Sequence, residues 1–256
     1  MRVCIISREY PPDTGFGGIA TFANHLAHGL KDLGHEVIVV SLAKDIPKDV
    51  IQNGIPVYRV EAAGITANTQ LISRYIPYAT YALGASSALW RKFLELHKEK
   101  AFDVVDTPEL LAEGLLPAIT KAAPLLIRLY TPHSKFIDEQ FHNINASFDH
   151  QFIAMTERLA MLSADVLTSP SHDLADFVSN DLNYPTEKIA IVPNPIDAEI
   201  FCPEGNIAIE KDDRAIVLFV GRLEERKGIR YLIQAIPKIV SEYPKVRFII
   251  IGNDTT

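Results

Sequence analysis

The first 42 residues read apolar strand, glycine-bearing loop, amphipathic helix, second apolar strand, and that order leaves few folds open. Val3–Ser7 has the short, uninterrupted apolar run of a strand buried on both faces. A loop with Pro11, Pro12 and Asp13 follows. Ile19, Phe22, Ala23, Leu26, Ala27, Leu30 and Leu33 then recur at helical spacing, with Thr21, Asn24, His28 and Lys31 on the other face. Gly34 ends the helix and Glu36–Leu42 forms a second strand. Two strands joined through a crossover helix lie parallel, so a parallel sheet with helices on both faces is expected.

The alternation continues. Further strands are predicted at Pro56–Val60, Val104–Asp106, Leu125–Tyr130, Val166–Thr168 and Ile189–Val192, and helices at Ile72–Lys98, Leu110–Lys121, Phe148–Ser163 and Ser171–Asn180. The expectation is an α/β chain whose residues 1–198 form one doubly wound, Rossmann-like domain. Residues 199–214 are polar, contain Pro203, Gly205 and a charged Glu210–Arg214 run, and read as a linker. Residues 215–256 start afresh with a strand at Ile216–Val220, a helix from Ile229 to Tyr243 and a strand at Val246–Ile251. Two such apolar strands and one helix cannot cover both faces of their sheet. The expectation is a truncated beginning of a second Rossmann-like domain. It must pack on further chain, on another copy as a dimer, or on the first domain by completing its sheet.

Composition narrows the function classes. A formal charge of −7 and a pI near 5.6 argue against general nucleic-acid binding, which leaves a basic footprint. Two cysteines, Cys4 and Cys202, are too few for a disulfide framework, and the opening apolar run is too short for a signal peptide. No run of about 18 apolar residues is present, so a soluble cytoplasmic protein is expected.

Two glycine-bearing segments carry the chemistry. Gly15-Phe16-Gly17-Gly18-Ile19-Ala20 matches the dinucleotide pattern G-x-G-x-x-A, and an NAD-dependent oxidoreductase is therefore one reading. Against it, the strand-to-glycine connection is long and carries Pro11-Pro12, and the second strand ends Ser41-Leu42 with no acid for a ribose hydroxyl. Gly17 and Gly18 open a helix whose free N–H groups attract an anion, and without side chains they admit a diphosphate; a plain tight turn is the bland reading. The second segment is Phe219-Val220-Gly221-Arg222-Leu223-Glu224-Glu225-Arg226-Lys227-Gly228. It places Arg222 at the carboxyl end of a strand and Lys227 at the start of the next helix. Two cations at that edge suit a diphosphate, although a surface loop in which Glu224 and Glu225 pair the basic residues is the alternative.

Four ordered motifs then resemble one family. They are Glu9-Tyr10-Pro11-Pro12 with Gly17-Gly18 and Leu33–Val37; Glu157-Arg158 through Ala164-Asp165-Val166 to Ser169-Pro170-Ser171; Ile191–Asp197 with Phe201; and Gly221-Arg222 with Lys227-Gly228. Together they are similar to the retaining glycosyltransferase family 4, with Pro195 where the family has glycine. The resemblance implies a GT-B architecture, with the acceptor on the first domain and a nucleotide-sugar donor, a UDP-sugar first among them, on the second. It implies that Arg222 and Lys227 bind the donor diphosphate, that Gly17 and Gly18 approach the same phosphates, and that these cations replace a metal, so no metal cofactor is expected. The acceptor would be a glycan or a lipid-linked glycan. Where the family has a histidine meeting the donor sugar this chain has Tyr130, with His133 three residues later, and either residue is a candidate for that contact. The family's paired glutamates lie beyond residue 256, so residues 1–256 alone are expected not to turn over efficiently; a non-catalytic nucleotide-sugar-binding module is the third reading.

Lesser clusters complete the survey. Ser171-His172-Asp173 has the residue types of a triad, but adjacent residues seldom face one another, and Ser171 reads as a helix N-cap. His133 and His142 lack a third metal ligand. Glu109 and Glu113 flank a strand end, either lining an acceptor cleft or forming a solvated first helical turn. Tyr75, Tyr78, Tyr81 and Trp90 with Arg74, Arg91 and Lys92 make Ile72–Lys98 a core helix with a basic end, or else a peripheral membrane contact.

Overall fold

Strand β1 (Arg2–Ile6) sits centrally because its alternate side chains are apolar in both directions. Val3 and Ile5 pack with Val37, Val39, Val57 and Ala23 on one face, while Cys4 and Ile6 pack with Ile38, Leu89 and Phe93 on the other. In this computed structural model residues 1–15, 17–62, 70–140, 147–205 and 212–253 are described; Phe16, His142 and positions 206–211 of the expected linker lie outside them. Two compact units result, Met1–Ile196 and Asp197–Thr256.

The first unit has an eight-stranded sheet in the order β3-β4-β2-β1-β5-β6-β7-β8. The strands are β2 (Glu36–Leu42), β3 (Lys48–Gln52), β4 (Ile55–Val60), β5 (Val104–Pro108), β6 (Leu125–Arg128), β7 (Val166–Ser169) and β8 (Ile189–Ile191). Chain order reverses between β1 and β5, which makes that crevice the topological switch point where open α/β sheets bind ligands. The helices are α1 (Gly18–Asp32), α2 (Gln70–Ser73), α3 (Pro77–Glu99), α4 (Leu115–Thr120), α5 (His133–Gln140), α6 (Phe148–Ser163) and α7 (His172–Leu182). The buried residues of α1 face the Val3–Ile5 side, and those of α3 and α6 face the other.

Four sequence expectations are corrected here. The sheet is not purely parallel: β3 pairs antiparallel with β4, joined by Asn53 and Gly54, both at positive φ. Asn-Gly is the strongest short-range hairpin signal and stood in the sequence unread. The helix expected over Ile72–Lys98 is two helices, because Pro77 opens α3 and Ile76 takes the cap position. Its first free N–H groups, those of Tyr78 and Ala79, donate to the Asp149 carboxylate at 2.8 Å each. The helix expected over Leu110–Lys121 breaks into a 3-10 turn at Leu110–Ala112 and α4, with Leu111 and Ala112 left-handed. The strand expected to run from Leu125 to Tyr130 stops at Arg128, and α5 opens at His133. The Ser171 N-cap is present: its hydroxyl accepts the Leu174 N–H at 3.3 Å.

In the second unit β9 (Ile216–Val220) and β10 (Arg247–Ile251) pair in a parallel sheet of their own, connected by α8 (Ile229–Glu242). Gly252 crosses against Gly221 so tightly that an added Cβ would lie 1.8 Å from the Gly221 carbonyl oxygen. Leu218, Val220, Ile250 and Ile251 are exposed, as expected for a sheet with one helix.

The loop after β1 is held from β4. Arg59 is 2% exposed; it donates to the Tyr10 and Pro11 carbonyls at 3.1 Å each and pairs with Asp13 at 3.1 Å. One planar fork thereby bridges two successive loop carbonyls, which also accept from Thr14 and from Gln52 of β3. Gly15 is also required: its φ is +70°, and an added Cβ would lie 2.6 Å from the Glu9 side chain. Arg59→Met should lower unfolding free energy by about 2 kcal/mol in urea denaturation, since it removes two charge-assisted hydrogen bonds and one of the two cations on Asp13, leaving Lys48 on Asp13, Thr14 on the Tyr10 carbonyl and Gln52 on that of Pro11. Arg59→Lys should recover less than half of that.

Candidate active site

The carboxyl edge of β1, β5 and β6 gathers three buried glutamates and the segments that carry Gly17, Gly18, Tyr130 and His133. Pro11–Thr14 leads, through Gly15, to α1, for which Gly17 is the N-cap residue and Gly18 the first helical residue. Neither has the positive φ that demands glycine. Among the described residues an added Cβ would meet nothing within 4 Å at Gly18 and only Glu9 Oε2, at 3.8 Å, at Gly17. The fold itself thus tolerates a side chain at both positions, in contrast to Gly15.

Glu109 and Glu113 are not a solvated helical turn; they are 0% and 2% exposed. Glu113 takes the Arg8 N–H at 3.0 Å and the Arg8 Nε at 2.5 Å, so β1 and the β5 loop are locked at the switch point. Glu109 Oε1 accepts the backbone N–H groups of Tyr130 at 2.8 Å and Thr131 at 2.7 Å. Burial raises its carboxyl to about 7, opposed by those hydrogen bonds and aided by nearby Glu113. Glu157, on α6, is pushed up more strongly by burial; it accepts Leu111 N–H at 2.7 Å and His133 N–H at 2.6 Å.

Tyr130 and His133 part company at this edge. The Tyr130 ring is half-buried and meets the Phe22 ring edge-on at 5.9 Å. Phe22 also carries the Arg128 guanidinium over its ring at 4.2 Å, itself paired with Asp106 at 2.8 Å. His133 opens α5 and is 3% exposed. Its Nε2 lies 2.8 Å from His150 Nδ1, the two rings stack at 5.0 Å, and Tyr78 packs against both. One imidazole must donate and the other accept, so the pair excludes a second proton. Burial, then the His150 neighbour, lower His133 to about 4.

In the second unit Arg222 follows β9 and Lys227 ends a 3-10 turn before α8. Arg222 is 57% exposed and meets Glu224 at 3.3 Å, while Glu225 pairs with Arg230 at 3.2 Å. Exposed pairs of this kind are weak enough to yield to a phosphate. Among the described residues no group of three or more His, Cys, Asp and Glu is placed to hold a metal, and no helix is long and apolar enough to cross a membrane.

The sequence reading passed over Arg8, Arg59 and Glu157 as site-builders. Glu157 had a signal: Ile153, Ala154, Ala160 and Met161 put it on the apolar face of its helix. Arg59 stood in the apolar run Ile55–Val60. Nothing local marked Arg8, whose partner lies 105 residues away.

Glu109 and His133 pull stability in opposite directions with pH. Glu109, raised in the folded state, costs nothing below about 4.5 and its full penalty above about 7; His133, lowered, costs nothing above about 6.5 and most near 4. Relative to wild type, Glu109→Gln should gain about 1–2 kcal/mol as pH rises from 5 to 7, and His133→Gln should gain a similar amount as pH falls from 7 to 5. Urea titrations at the two pH values read both slopes.

Residues 16–200 match Glycosyltransferase Family 4, and residues 206–256 match Glycosyl transferases group 1. A glycosyltransferase of Methanocaldococcus jannaschii is 28% identical over 99% of this chain and 63% of its own length. The phosphatidylinositol N-acetylglucosaminyltransferase GPI3 subunit of Saccharomyces cerevisiae is 25% identical over 93% of this chain and 50% of its own. The chain therefore spans about half to two thirds of these relatives. The catalytic domain of starch synthase IV from Arabidopsis thaliana superposes with a TM-score of 0.66 at 13% identity, covering 100% of this chain and 69% of that one. With the doubly wound sheet and the second parallel strand pair, these matches establish that the chain belongs to glycosyltransferase family 4 and has the GT-B fold.

Proposed function

We propose that the protein containing this chain is a retaining glycosyltransferase. It takes its sugar from a nucleotide-diphosphate sugar, a UDP-sugar first, and delivers it to a lipid-linked or glycan acceptor. The observation that carries the reading is the N-terminus of α1. Gly17 and Gly18 are glycines that the fold does not require, at a helix end with free N–H groups. A requirement from outside the fold, close approach of a diphosphate, accounts for both.

In the reaction the bond from the anomeric carbon to the diphosphate breaks and a bond to the acceptor hydroxyl oxygen forms. Arg222 and Lys227 hold the departing diphosphate, whose charge they neutralise without a metal. Tyr130 is better suited than His133 to meet the donor sugar, since the His133 ring is occupied by His150. The name of the yeast relative supports a phosphoinositide acceptor. Exposed Ile72, Tyr75 and Tyr81 near Arg74 and Arg91 support peripheral membrane contact, and the exposed faces of β9 and β10 support either further chain or a second copy against them.

Full-length protein should transfer label from one of UDP-, GDP- or ADP-sugars to phosphatidylinositol vesicles or a glycan acceptor, with the product anomer read by NMR. An inverted anomer would remove the retaining mechanism. Gly18→Ala should leave stability equal or raise it by about 0.5–1 kcal/mol, as alanine is the better helix residue. It should still lower kcat/KM for donor roughly tenfold or more. Unchanged kinetics in that variant would defeat the diphosphate assignment, and Arg222→Ala should lose on the order of 100-fold.

A further inference from the structure

The turn from Tyr130 to His133 carries three backbone N–H groups, because Pro132 has none. All three are held by carboxylates: Tyr130 and Thr131 by Glu109, His133 by Glu157. The turn is suspended from two buried side chains that arrive from different elements, one after β5 and one from the middle of α6. Glu157 also holds Leu111, the first of two left-handed residues between Glu109 and Glu113. Non-glycine residues persist in that region only where the surroundings over-determine them, and such sites cluster where geometry matters for function.

Two acids, 0% and 1% exposed, are a costly way to cap a turn. Among the described residues Glu109 Oε2 finds no hydrogen-bond partner in another residue. Water or a backbone carbonyl would satisfy the same donors with no buried acid. What the carboxylates add is aim: they fix where the Tyr130 ring leaves the sheet edge, against Phe22 and beside Arg128.

We propose that Glu109 and Glu157 are positioning residues that hold the Tyr130–His133 turn in the geometry required for sugar transfer. They act through the backbone and touch neither donor nor acceptor. The proposal rests on the transferase reading above.

The test uses full-length protein and three measurements on Glu109→Ala, Glu157→Ala and Glu109→Gln. These are melting temperature, amide exchange of the segment containing residues 130–133, and kcat and donor KM with the nucleotide sugar that wild type accepts. Both alanine variants should speed exchange in that segment roughly tenfold or more. They should lower kcat about 10- to 100-fold, while donor KM stays within about threefold, as for misplacement of a correctly bound substrate. Glu109→Gln keeps an oxygen acceptor and should recover most of the kcat lost in Glu109→Ala. Leu89→Ala, a core change away from this edge, should lower the melting temperature without the kcat loss. Alanine variants with wild-type kcat, or with a loss that merely follows melting temperature as in Leu89→Ala, would overturn the proposal. Should Glu157→Ala fail to fold, the Glu109→Ala and Glu109→Gln pair decides. Wild-type protein that transfers no sugar would instead overturn the transferase reading, and this proposal with it.

Discussion

Parallel strands all point their carboxyl ends to one edge, and the loops that leave there carry backbone N–H groups out of the ladder and under other loops. Those donors must be satisfied or the edge cannot be buried. In this protein carboxylates do the satisfying. Glu113 takes Arg8 N–H, Glu109 takes Tyr130 and Thr131, and Glu157 takes Leu111 and His133. The course of both loops flanking the switch point, and of the turn after β6, depends on these five bonds.

The arrangement carries a cost that shapes the chemistry of the edge. Three acids taken from water are all driven toward the neutral form by burial. Glu113 is offset by Arg8, whereas Glu109 and Glu157 lean on backbone N–H groups. His133, lying against His150, is driven neutral as well. Burial therefore works against charge at this edge, where Arg8–Glu113 and Arg128–Asp106 are held as ion pairs.

Much of the fold was legible because apolar periodicity reports burial directly. Cys4 and Ile6 alternate with Val3 and Ile5, α1 repeats every three to four residues, and the order of elements follows. The misreadings fell where a local rule was overlooked or overruled. Asn53-Gly54 announced a hairpin and Pro77 announced a helix start, and both were readable. The break at Leu111 and Ala112 was not, since neither residue favours a left-handed backbone and they are held there by Glu157 and Ser86 from distant helices.

By itself the sequence determined the doubly wound α/β class, the family, and the two glycine-bearing segments Gly15–Ala20 and Phe219–Gly228, because these depend on short-range spacing and on residue types that few other structures tolerate. It did not determine which glycine of the first segment the backbone needs: that is Gly15, whose φ and contact with Glu9 appear only in three dimensions. Nor did it tell Tyr130 from His133. The tertiary structure separates them, because His150, 17 residues along the chain, occupies the imidazole of one and Glu109, 21 residues back, holds the backbone of the other. Contacts between residues so far apart in sequence leave no periodic trace, and they decide the detail of the site.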